Sequence, residues 1–359
     1  MLRMAEPLIH HRSPEFREVM ARVNANLAYL FQTSQPVVTL ACSGTGGVES
    51  TIVSLFSPGE TIIAVNGGKF GERWVQMPRV FGLNTVEIRV PWGEALREEQ
   101  IRDAIRSHPD VRGVYLTQSE TSTGTLTDVR AMARIVHEHS SALVCVDGIS
   151  SVGAQEMRFD EWGIDACVTG SQKGLMIPPG LAFVALSSRA IEATEKSEMP
   201  RFYLDLRRAL KSHAADDTPW TPAISLIIGA DAAFAMIRKE GIEEVWKRHA
   251  RLASGLRAGI QAVGLRLFSQ APTNSVTAVA LPAGIAWAEF NRSLKLDNGV
   301  TVAGGQGDYA GKIFRVSHLG YYDELDMISC MAAVERALAA VGYSFDHGAG
   351  VAAVQKALM

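Results

Sequence analysis

A regular alternation between short apolar runs and segments with helical periodicity limits the folds that this chain can adopt. Each run is apolar without interruption, which is typical of a strand that is buried on both faces. The helix-length segments between the runs are long enough to cross over and return the chain in the same direction. The alternation therefore predicts an α/β protein with a mainly parallel sheet that is covered by helices on both sides.

The elements of this alternating part can be placed along the chain. Strands are predicted at Val37–Ala41, Thr61–Val65, Thr85–Val90, Val111–Thr117, Leu143–Asp147, Ala166–Thr169 and Ala182–Leu186. Helices are predicted at Pro14–Leu30, from Ser43-Gly-Thr-Gly-Gly47 to Phe56, and at Lys69–Phe81, Arg97–Ser107 and Val129–His139. Ser13 is expected to cap the first helix, because it stands directly before a proline and an acidic residue.

A second, smaller α/β domain is predicted from about residue 241, because the alternation of strands and helices is interrupted between Arg201 and Thr221. Two long helical patterns meet at Gly241, which is expected to stop the first of them. The elements predicted here are helices at Ile224–Lys239, Ile242–Val263, Ala286–Leu296 and Glu324–Val341, and strands at Ser275–Leu281 and Ile313–Val316. The expected division is a large domain over residues 1–240 and a small one over 241–359.

Composition excludes several classes of function. The chain has 359 residues and a formal net charge of −3, so it lacks the basic surface that nucleic acids or anionic membranes require. No apolar stretch is long enough to span a bilayer. Histidines and cysteines show no metal-ligand spacing, so no metal is expected. The four cysteines, at positions 42, 145, 167 and 330, are expected to be reduced thiols of a soluble cytoplasmic protein.

An acid and a lysine stand at the ends of two neighbouring apolar runs. Asp147 closes the run Val144–Asp147, and Lys173 follows the run Ala166–Thr169 in the sequence Gly-Ser-Gln-Lys-Gly. This is the pair that a pyridoxal phosphate enzyme needs: the lysine forms a Schiff base, and the acid keeps the pyridine nitrogen protonated. Structural lysines at strand ends are common, so the pair alone does not decide the function.

A candidate phosphate site lies in Ser43-Gly-Thr-Gly-Gly47, where a strand turns into a helix. Glycines there would let backbone N–H groups close on an anion at the positive end of the helix dipole. The segment lacks the lysine of a Walker loop, and Glu49 stands where a dinucleotide fingerprint has glycine. It is therefore another kind of phosphate cradle or only a tight turn.

Other candidates are weak when taken singly. Glu120-Thr-Ser-Thr-Gly124 follows a strand and fits either ligand contact or a plain loop. Phe70 could stack on a ring, and Arg315 could bind a carboxylate, but each also fits a structural role. Thr221 is placed to cap a helix with Pro222 at its first position. The histidines at positions 10, 11 and 318 have no spacing that singles them out.

The order of these segments resembles the class V aminotransferases of pyridoxal phosphate fold type I, of the alanine–glyoxylate and serine–glyoxylate (serine–pyruvate) kind. The resemblance covers nearly the whole chain. It is carried by Ser43-Gly-Thr-Gly-Gly47, Asn66-Gly-Gly-Lys-Phe-Gly71, Glu120-Thr-Ser-Thr-Gly124, Val146-Asp-Gly-Ile-Ser-Ser-Val-Gly153, Gly170-Ser-Gln-Lys-Gly174, Pro178-Pro-Gly180, Phe202-Tyr-Leu-Asp205, Thr218-Pro-Trp-Thr221 and Gly311-Lys-Ile-Phe-Arg315. It implies a seven-stranded sheet in a large domain, a small C-terminal domain, and a homodimer with its sites at the interface.

The resemblance also assigns roles to residues of this chain. Lys173 would form the aldimine with pyridoxal 5'-phosphate, and Asp147 would pair with its pyridinium nitrogen. Phe70 would stack on the ring, with Ile149 packed beneath. Thr45, Gly46, Gly47 and Gln172 would hold the phosphate, and Thr218 and Thr221 would reach it from the partner subunit. Thr121 would contact the ring hydroxyl, and Arg315 would bind the substrate carboxylate.

The activity that these roles imply is transfer of an amino group from a small amino acid, such as alanine or serine, to a 2-oxo acid such as glyoxylate or pyruvate. One departure concerns a Pro-Gly-Pro-type segment with which family members usually begin, whereas this sequence starts at Met1-Leu-Arg-Met4. Either the true start lies upstream of Met1, or part of the substrate-side wall is missing. Two alternatives remain: a cysteine desulfurase-like lyase, and a non-catalytic small subunit of a soluble hydrogenase complex.

Overall fold

A computed structural model describes all 359 residues of the chain, which form twelve strands and twelve α-helices. The strands are β1 (Val37–Leu40), β2 (Thr61–Asn66), β3 (Asn84–Arg89), β4 (Gly113–Thr117), β5 (Ser119–Glu120), β6 (Thr125–Leu126), β7 (Leu143–Asp147), β8 (Ala166–Gly170), β9 (Ala182–Leu186), β10 (Val276–Ala280), β11 (Ala303–Gly304) and β12 (Ile313–Ser317). The α-helices are α1 (Pro14–Phe31), α2 (Gly44–Leu55), α3 (Gly71–Val80), α4 (Glu98–Ser107), α5 (Val129–His139), α6 (Ser188–Lys196), α7 (Leu206–His213), α8 (Ile224–Glu240), α9 (Ile242–Ala262), α10 (Trp287–Arg292), α11 (Glu324–Ala340) and α12 (Ala349–Leu358). None of these helices is both long and apolar enough to cross a membrane.

The central sheet has seven strands in the order β1-β9-β8-β7-β4-β2-β3. All neighbours pair in parallel except β9, which runs antiparallel to β1 and β8. The prediction of a mainly parallel seven-stranded sheet is therefore confirmed. Because β1 runs parallel to β8, the carboxyl ends of six strands meet at one edge of the sheet, where ligands of such folds bind.

Both faces of this sheet carry an apolar core, which explains why its strands are apolar without alternation. In β7, Val144 and Val146 pack into the core under α1, α5 and α8. Leu143 and Cys145 point the other way, into the core under α2, α3 and α7. A strand with one polar face could not occupy this position, because every side chain in it is buried.

A three-stranded antiparallel sheet, β10-β12-β11, forms a separate layer with α9, α11 and α12. Helix α9 is shared between the two parts of the chain. Its first turns place Ile242, Val245 and Trp246 in a core of the large sheet. Its later turns place Leu252 and Leu256 in the core of the small sheet. The predicted domain limits, 1–240 and 241–359, stay a prediction.

Some local predictions agree with the structure, and others do not. Ser13 caps α1 by accepting the Phe16 amide, and Gly241 ends α8 with φ +92°. In the segment Ala286–Leu296, which is predicted as one helix, the α-helix spans only Trp287–Arg292. A π-helical turn over Ser293–Asp297 follows it. Helices α6, α7 and α12 are not among the predicted elements.

The prediction that Thr221 caps α8 is wrong. The helix begins at Ile224 with Ala223 at the capping position, and Thr221 is exposed. The preceding residues form a turn instead, in which the Thr218 hydroxyl donates to the Trp220 carbonyl at 2.7 Å. The Trp220 indole in turn donates to the Tyr203 carbonyl at 2.9 Å, so the turn is tied to the segment before α7.

Candidate active site

A cavity opens at the carboxyl edge of the parallel strands, beside the start of α2. It is lined by Ser43, Gly44, Thr45, Val48, Phe70, Arg73, Trp74, Met77, Ser119, Asp147, Ile149, Ser150, Gln172 and Lys173. These residues follow β1, β2, β4, β7 and β8, so five strand ends contribute to one space. The fold thus brings Thr45, Phe70, Asp147, Ile149, Gln172 and Lys173 to one cavity.

Asp147 is the last residue of β7 and lies almost fully out of solvent. Its Oδ1 accepts the Ile149 amide at 2.9 Å, and Oδ2 has no hydrogen-bond partner in the chain. Burial raises the pKa of this carboxyl to about 7, with a further rise from the nearby Glu120. A cationic ligand nitrogen at Oδ2 would remove most of this penalty, so the site favours such a group.

Lys173 lies half-buried in the loop after β8 and forms no ion pair. Burial lowers the pKa of its ammonium group, and Arg315 and Arg73 lower it further, while Asp147 acts in the opposite direction. The loop is held by Ser171, whose hydroxyl donates to the Pro178 carbonyl at 2.7 Å and accepts the Leu181 amide at 3.2 Å. A lysine with a lowered pKa is a better nucleophile and base near neutral pH.

Helix α2 begins at the cavity with free backbone N–H groups. Its N-cap, Ser43, makes no side-chain capping bond, unlike Ser13 at the start of α1. The glycines set its position: a Cβ at Gly44 would lie 2.6 Å from Ile149 Cδ1, and a Cβ at Gly47 would lie 2.6 Å from Val168 Cγ1. The helix therefore sits tightly on the sheet and points an uncapped positive end into the cavity.

Phe70 stands at the N-cap of α3 and Arg73 lies in the first turn. The guanidinium carbon of Arg73 lies 5.1 Å from the centre of the Phe70 ring, and its Nη1 donates to Thr45 Oγ1 at 3.0 Å. Arg73 thereby joins the start of α2 to the start of α3.

A buried carboxylate, Glu120, ties the start of α3 to the loop after β4. Its Oε2 accepts the amides of Phe70 at 3.1 Å and Gly71 at 2.8 Å. Its Oε1 accepts the amide of Ser122 at 3.1 Å and its hydroxyl at 2.5 Å. Burial nevertheless raises the pKa of the Glu120 carboxyl above its ordinary value. Glu120 therefore fixes Phe70 relative to the β4 strand end.

Arg315, on β12, borders a second cavity that shares Lys173 and Ser150 with the first. Its Nη1 donates to the Thr121 carbonyl at 2.8 Å and its Nε to the Gly304 carbonyl at 3.0 Å, which leaves Nη2 without an acceptor in the chain. Burial lowers the pKa of this guanidinium. The predicted contact residue Thr121 lies here, beside Arg315, and not in the first cavity.

Four predicted residues lie elsewhere. Gly46 and Gly47 are in the first turns of α2 but do not line the cavity, and a Cβ at Gly46 would lie 2.8 Å from Cys42 Sγ. Thr218 and Thr221 line a separate cavity beside the end of β1. Within one chain, these two threonines are not brought to Lys173.

Sequence reasoning missed two residues of the site. Arg73 is absent from the predicted set, although it follows Phe70 by three residues and so lies on the same face of α3. Glu120 enters the prediction only as part of a motif. Its acidic charge at the end of an apolar strand was the available signal, but its bonding partners lie 49 and 50 residues away.

The histidines and cysteines take no part in this arrangement. His318 is fully buried between Thr277 and the Asn274 carbonyl, and burial lowers its pKa to about 3. All four cysteines are free thiols. Burial raises the pKa of Cys42 and of Cys330 to about 11, so neither is activated as a nucleophile.

The residues present fit pyridoxal 5'-phosphate. The uncapped start of α2 suits a phosphate, the unpartnered Oδ2 of Asp147 suits a protonated ring nitrogen, and Lys173 supplies an amine. Phe70 and Ile149 line the same cavity.

Comparisons with known proteins agree with this arrangement. The family model "Aminotransferase class-V" matches residues 4–321. A soluble hydrogenase 42 kDa subunit of Anabaena cylindrica is 39% identical over 99% of this chain and 94% of its own. The L-aspartate–glyoxylate aminotransferase of Paracoccus denitrificans is 38% identical over 98% of this chain and 90% of its own. The solved structure of the ureidoglycine–glyoxylate aminotransferase of Bacillus subtilis is similar with a TM-score of 0.94 and 26% identity, covering 99% of this chain and 93% of that one.

Proposed function

The chain belongs to the class V aminotransferase family, and on that basis we propose a pyridoxal phosphate-dependent transfer of the amino group of a small amino acid, of the alanine or serine type, to a 2-oxo acid such as glyoxylate or pyruvate. The observation that carries this proposal is the convergence of Lys173 and Asp147 in one cavity beside an uncapped helix start. Glyoxylate as the acceptor is supported by the names of two similar proteins, from Paracoccus denitrificans and Bacillus subtilis.

In this proposal the chain holds the cofactor at three points. Thr45 and Gln172 would bind the phosphate at the start of α2, in whose first turns Gly46 and Gly47 lie, Asp147 would accept a hydrogen bond from the ring nitrogen, and Phe70 and Ile149 would enclose the ring. When bound, the cofactor supplies an electron-accepting ring that stabilises negative charge at the substrate α-carbon. The raised pKa of Asp147 falls again when a cationic nitrogen faces it, so its carboxylate stays charged in the loaded site.

Lys173 is the proposed covalent anchor and proton carrier. Its Nζ would hold the cofactor through the aldehyde, and as a free amine it would take the α-proton of the substrate. The lowered pKa favours the neutral amine that this step needs. The same Nζ would carry that proton and return it, so that one group would serve both proton transfers.

Arg315 is the proposed binding group for the substrate carboxylate. Its Nη2 is free to donate, and it is the only guanidinium that lines the second cavity. The other charged groups there are Lys173 and Asp326. One free guanidinium supports a substrate with a single carboxylate, and the acidic Asp326 disfavours a second one.

We also propose a homodimer in which Thr218 and Thr221 complete the phosphate site of the partner subunit. An exposed aromatic cluster next to these threonines supports this proposal. Phe202 is 65% exposed and Tyr203 is 49% exposed, and both stack on Trp220. Large exposed aromatic side chains of this kind are typical of protein interfaces.

The test of the proposed function is the visible absorption of the purified protein. Wild-type protein with added cofactor is expected to show the band of a lysine-bound aldehyde that borohydride reduces, and Lys173→Ala is expected to lack it. A reducible link that survives in Lys173→Ala would show that another residue is the anchor. Lys69→Ala is the matched control, because Lys69 lies near the site but pairs with Glu72.

The amino donor is identified by adding single amino acids to the loaded protein and following loss of that band. Alanine and serine are expected to bleach it, and aspartate is expected to be slower because Arg315 is the only guanidinium in the cavity and Asp326 disfavours a second carboxylate. Release of sulfide from cysteine would favour a desulfurase instead. Copurification with a hydrogenase subunit, together with no response to any amino acid, would favour the role named for the Anabaena cylindrica relative.

A further inference from the structure

Arg73 is a charged residue of the site without an opposite charge to pair with. It forms no ion pair with any carboxylate of the chain, whereas its neighbour Glu72 pairs with Lys69. It also lies in the first turn of α3, where a positive side chain opposes the helix dipole. An unpaired cation at an unfavourable position indicates a role outside the folding of α3.

The surroundings of Arg73 indicate what it would bind. Its Nη1 donates to the hydroxyl of Thr45, in the first turn of α2, at 3.0 Å. A guanidinium has five N–H donors, so this bond leaves most of them free. The positive end of α2 carries roughly half an elementary charge and is not capped by a side chain. Two positive groups therefore converge on one point of the cavity wall.

Charge balance points to a doubly charged anion at this point. A phosphate ester carries about two negative charges at neutral pH, which a helix start alone does not neutralise. The only cations that line the first cavity are Arg73 and Lys173. Since Lys173 is engaged at the aldehyde in the proposed function, Arg73 is the remaining cation for the phosphate.

We propose that Arg73 binds the phosphate ester of the cofactor and makes the site select pyridoxal 5'-phosphate over unphosphorylated pyridoxal. This inference rests on the proposed function, because it assigns a further residue to the same cofactor. The guanidinium would keep its bond to Thr45 and direct its free N–H groups at two phosphate oxygens, as arginine does in other phosphate sites.

The experiment compares the dissociation constants of both aldehydes, measured by absorption titration of cofactor-free protein. Arg73→Met removes the charge and keeps most of the apolar stem. It is expected to weaken pyridoxal phosphate binding about tenfold or more, the usual effect of losing a charge-assisted pair of hydrogen bonds. Binding of pyridoxal is expected to change less than about twofold. Arg73→Lys keeps the charge without the fork and is expected to fall between.

The matched control is Arg79→Met on the same helix. Arg79 is exposed and does not line the cavity, and its Nη2 lies 3.9 Å from Glu87 Oε2. The affinities for pyridoxal phosphate and for pyridoxal should therefore both stay unchanged. Equal weakening of both aldehydes by Arg73→Met would overturn the inference, because Arg73 would then only support Phe70. So would unchanged binding of pyridoxal phosphate.

Two further outcomes separate this inference from the proposed function. If wild-type protein binds neither aldehyde, the proposed function fails and the inference with it. If wild-type protein binds pyridoxal phosphate and the variants match it, only the inference fails. If Arg73→Met does not unfold cooperatively on heating, Arg73→Lys is used in its place. The quantity compared is then the ratio of its affinity for pyridoxal phosphate to its affinity for pyridoxal. A ratio equal to that of wild type would overturn the inference.

Discussion

At the scale of single residues, Asp147 shows that a binding site for a cationic ligand can destabilise the folded protein when the ligand is not bound. Its carboxyl is buried at the end of an apolar strand, with one amide as its hydrogen-bond donor. The folded state therefore raises its pKa to about 7 from the ordinary 3.8. An acid whose pKa is raised on folding favours the folded state at low pH, and this contribution is lost as pH rises through 7.

Asp147→Asn is accordingly expected to stabilise the cofactor-free protein at high pH. The side-chain amide oxygen of the variant can still accept the Ile149 N–H, but the group carries no charge to bury. The midpoint of thermal unfolding should exceed that of wild type by about 2 °C or more at pH 8, with a smaller difference at pH 5. Calorimetry at both pH values measures this, and a pH-independent difference would show that the charge is not the cause.

The control is Asp165→Asn, because Asp165 is also buried but is fully bonded. Its carboxylate accepts the Val144 amide at 2.8 Å and the Ser187 hydroxyl at 2.8 Å, and it pairs with Arg189. Asp165→Asn removes the ion pair with the exposed Arg189 and weakens the charge-assisted hydrogen bonds that the buried carboxylate accepts. This variant should therefore be less stable than wild type, in contrast to Asp147→Asn.

At the scale of secondary-structure elements, the cavity depends on how closely two helix starts approach the sheet edge. Helix α2 is set by glycines that leave no room for a methyl group, and α3 is set by the Glu120 carboxylate. In both cases the helix position, and not only its residues, supplies the groups that face the ligand. A substitution on the sheet-facing side of either helix should therefore alter the geometry of the cavity.

Gly47→Ala tests this for α2. The new Cβ would lie 2.6 Å from Val168 Cγ1 and 3.0 Å from Ala182 Cβ, so the helix must move off the sheet. Overpacking of this kind costs about 1–3 kcal/mol, and the cofactor affinity should fall because the first-turn amides move with the helix. Urea unfolding and absorption titration measure the two effects.

Gly67→Ala is the control for this substitution. Its Cβ would meet nothing nearer than Val90 Cβ at 3.9 Å, which is ordinary contact, and its backbone φ is not positive. It should change neither stability nor affinity appreciably. If Gly47→Ala behaves in the same way, α2 is not seated as tightly as its glycines indicate.

At the scale of the whole molecule, the question is which chain completes each site. Thr218 and Thr221 lie in a separate cavity from Lys173, and beside them the exposed Phe202 and Tyr203 stack on the half-buried Trp220. The proposed homodimer accounts for both facts, because it would bury the cluster and carry the threonines to the opposite site.

Mixed dimers test this arrangement. Thr221→Asp should weaken cofactor binding by placing a carboxylate against the phosphate, and Lys173→Ala should abolish the covalent link. After the two variants are unfolded and refolded together, a mixed dimer should contain one site with both defects and one site with neither. We expect each mixed dimer to recover one normal site, which is about half a site per chain. The borohydride-reducible band measures this recovery.

The control mixes Lys173→Ala with Gly47→Ala. Gly47 seats the start of α2 beside Lys173 of the same chain, so every site in the mixed dimer keeps a defect and no normal site should return. If Thr221→Asp and Lys173→Ala also fail to complement each other, the threonines do not act across a dimer interface.

Several parts of this protein can be predicted from the sequence because their signals are local. Apolar runs such as Leu143–Asp147 are buried on both faces wherever they lie in a sheet, so their composition alone indicates the fold class. Strand ends are local as well, which is why Asp147 and Lys173 can be recognised as a pair and why the helix start after Ser43 can be placed. The motifs along the chain then indicate the family, which the family model confirms.

Other parts depend on contacts between distant segments, which the local sequence pattern does not contain. Glu120 meets Gly71 across 49 positions, and Arg315 meets Thr121 across 194. Thr221 resembles a helix cap because its neighbours fit one, but stacking of Trp220 on Tyr203 holds that segment in a turn. Local sequence is thus enough to indicate the fold class, the strands of the central sheet and which chemistry the strand ends offer, although it did not indicate α6, α7 or α12. Which side chains face one another is specified only in the packed molecule, because those pairings depend on how the strands are ordered in the sheet and how the helices pack on it.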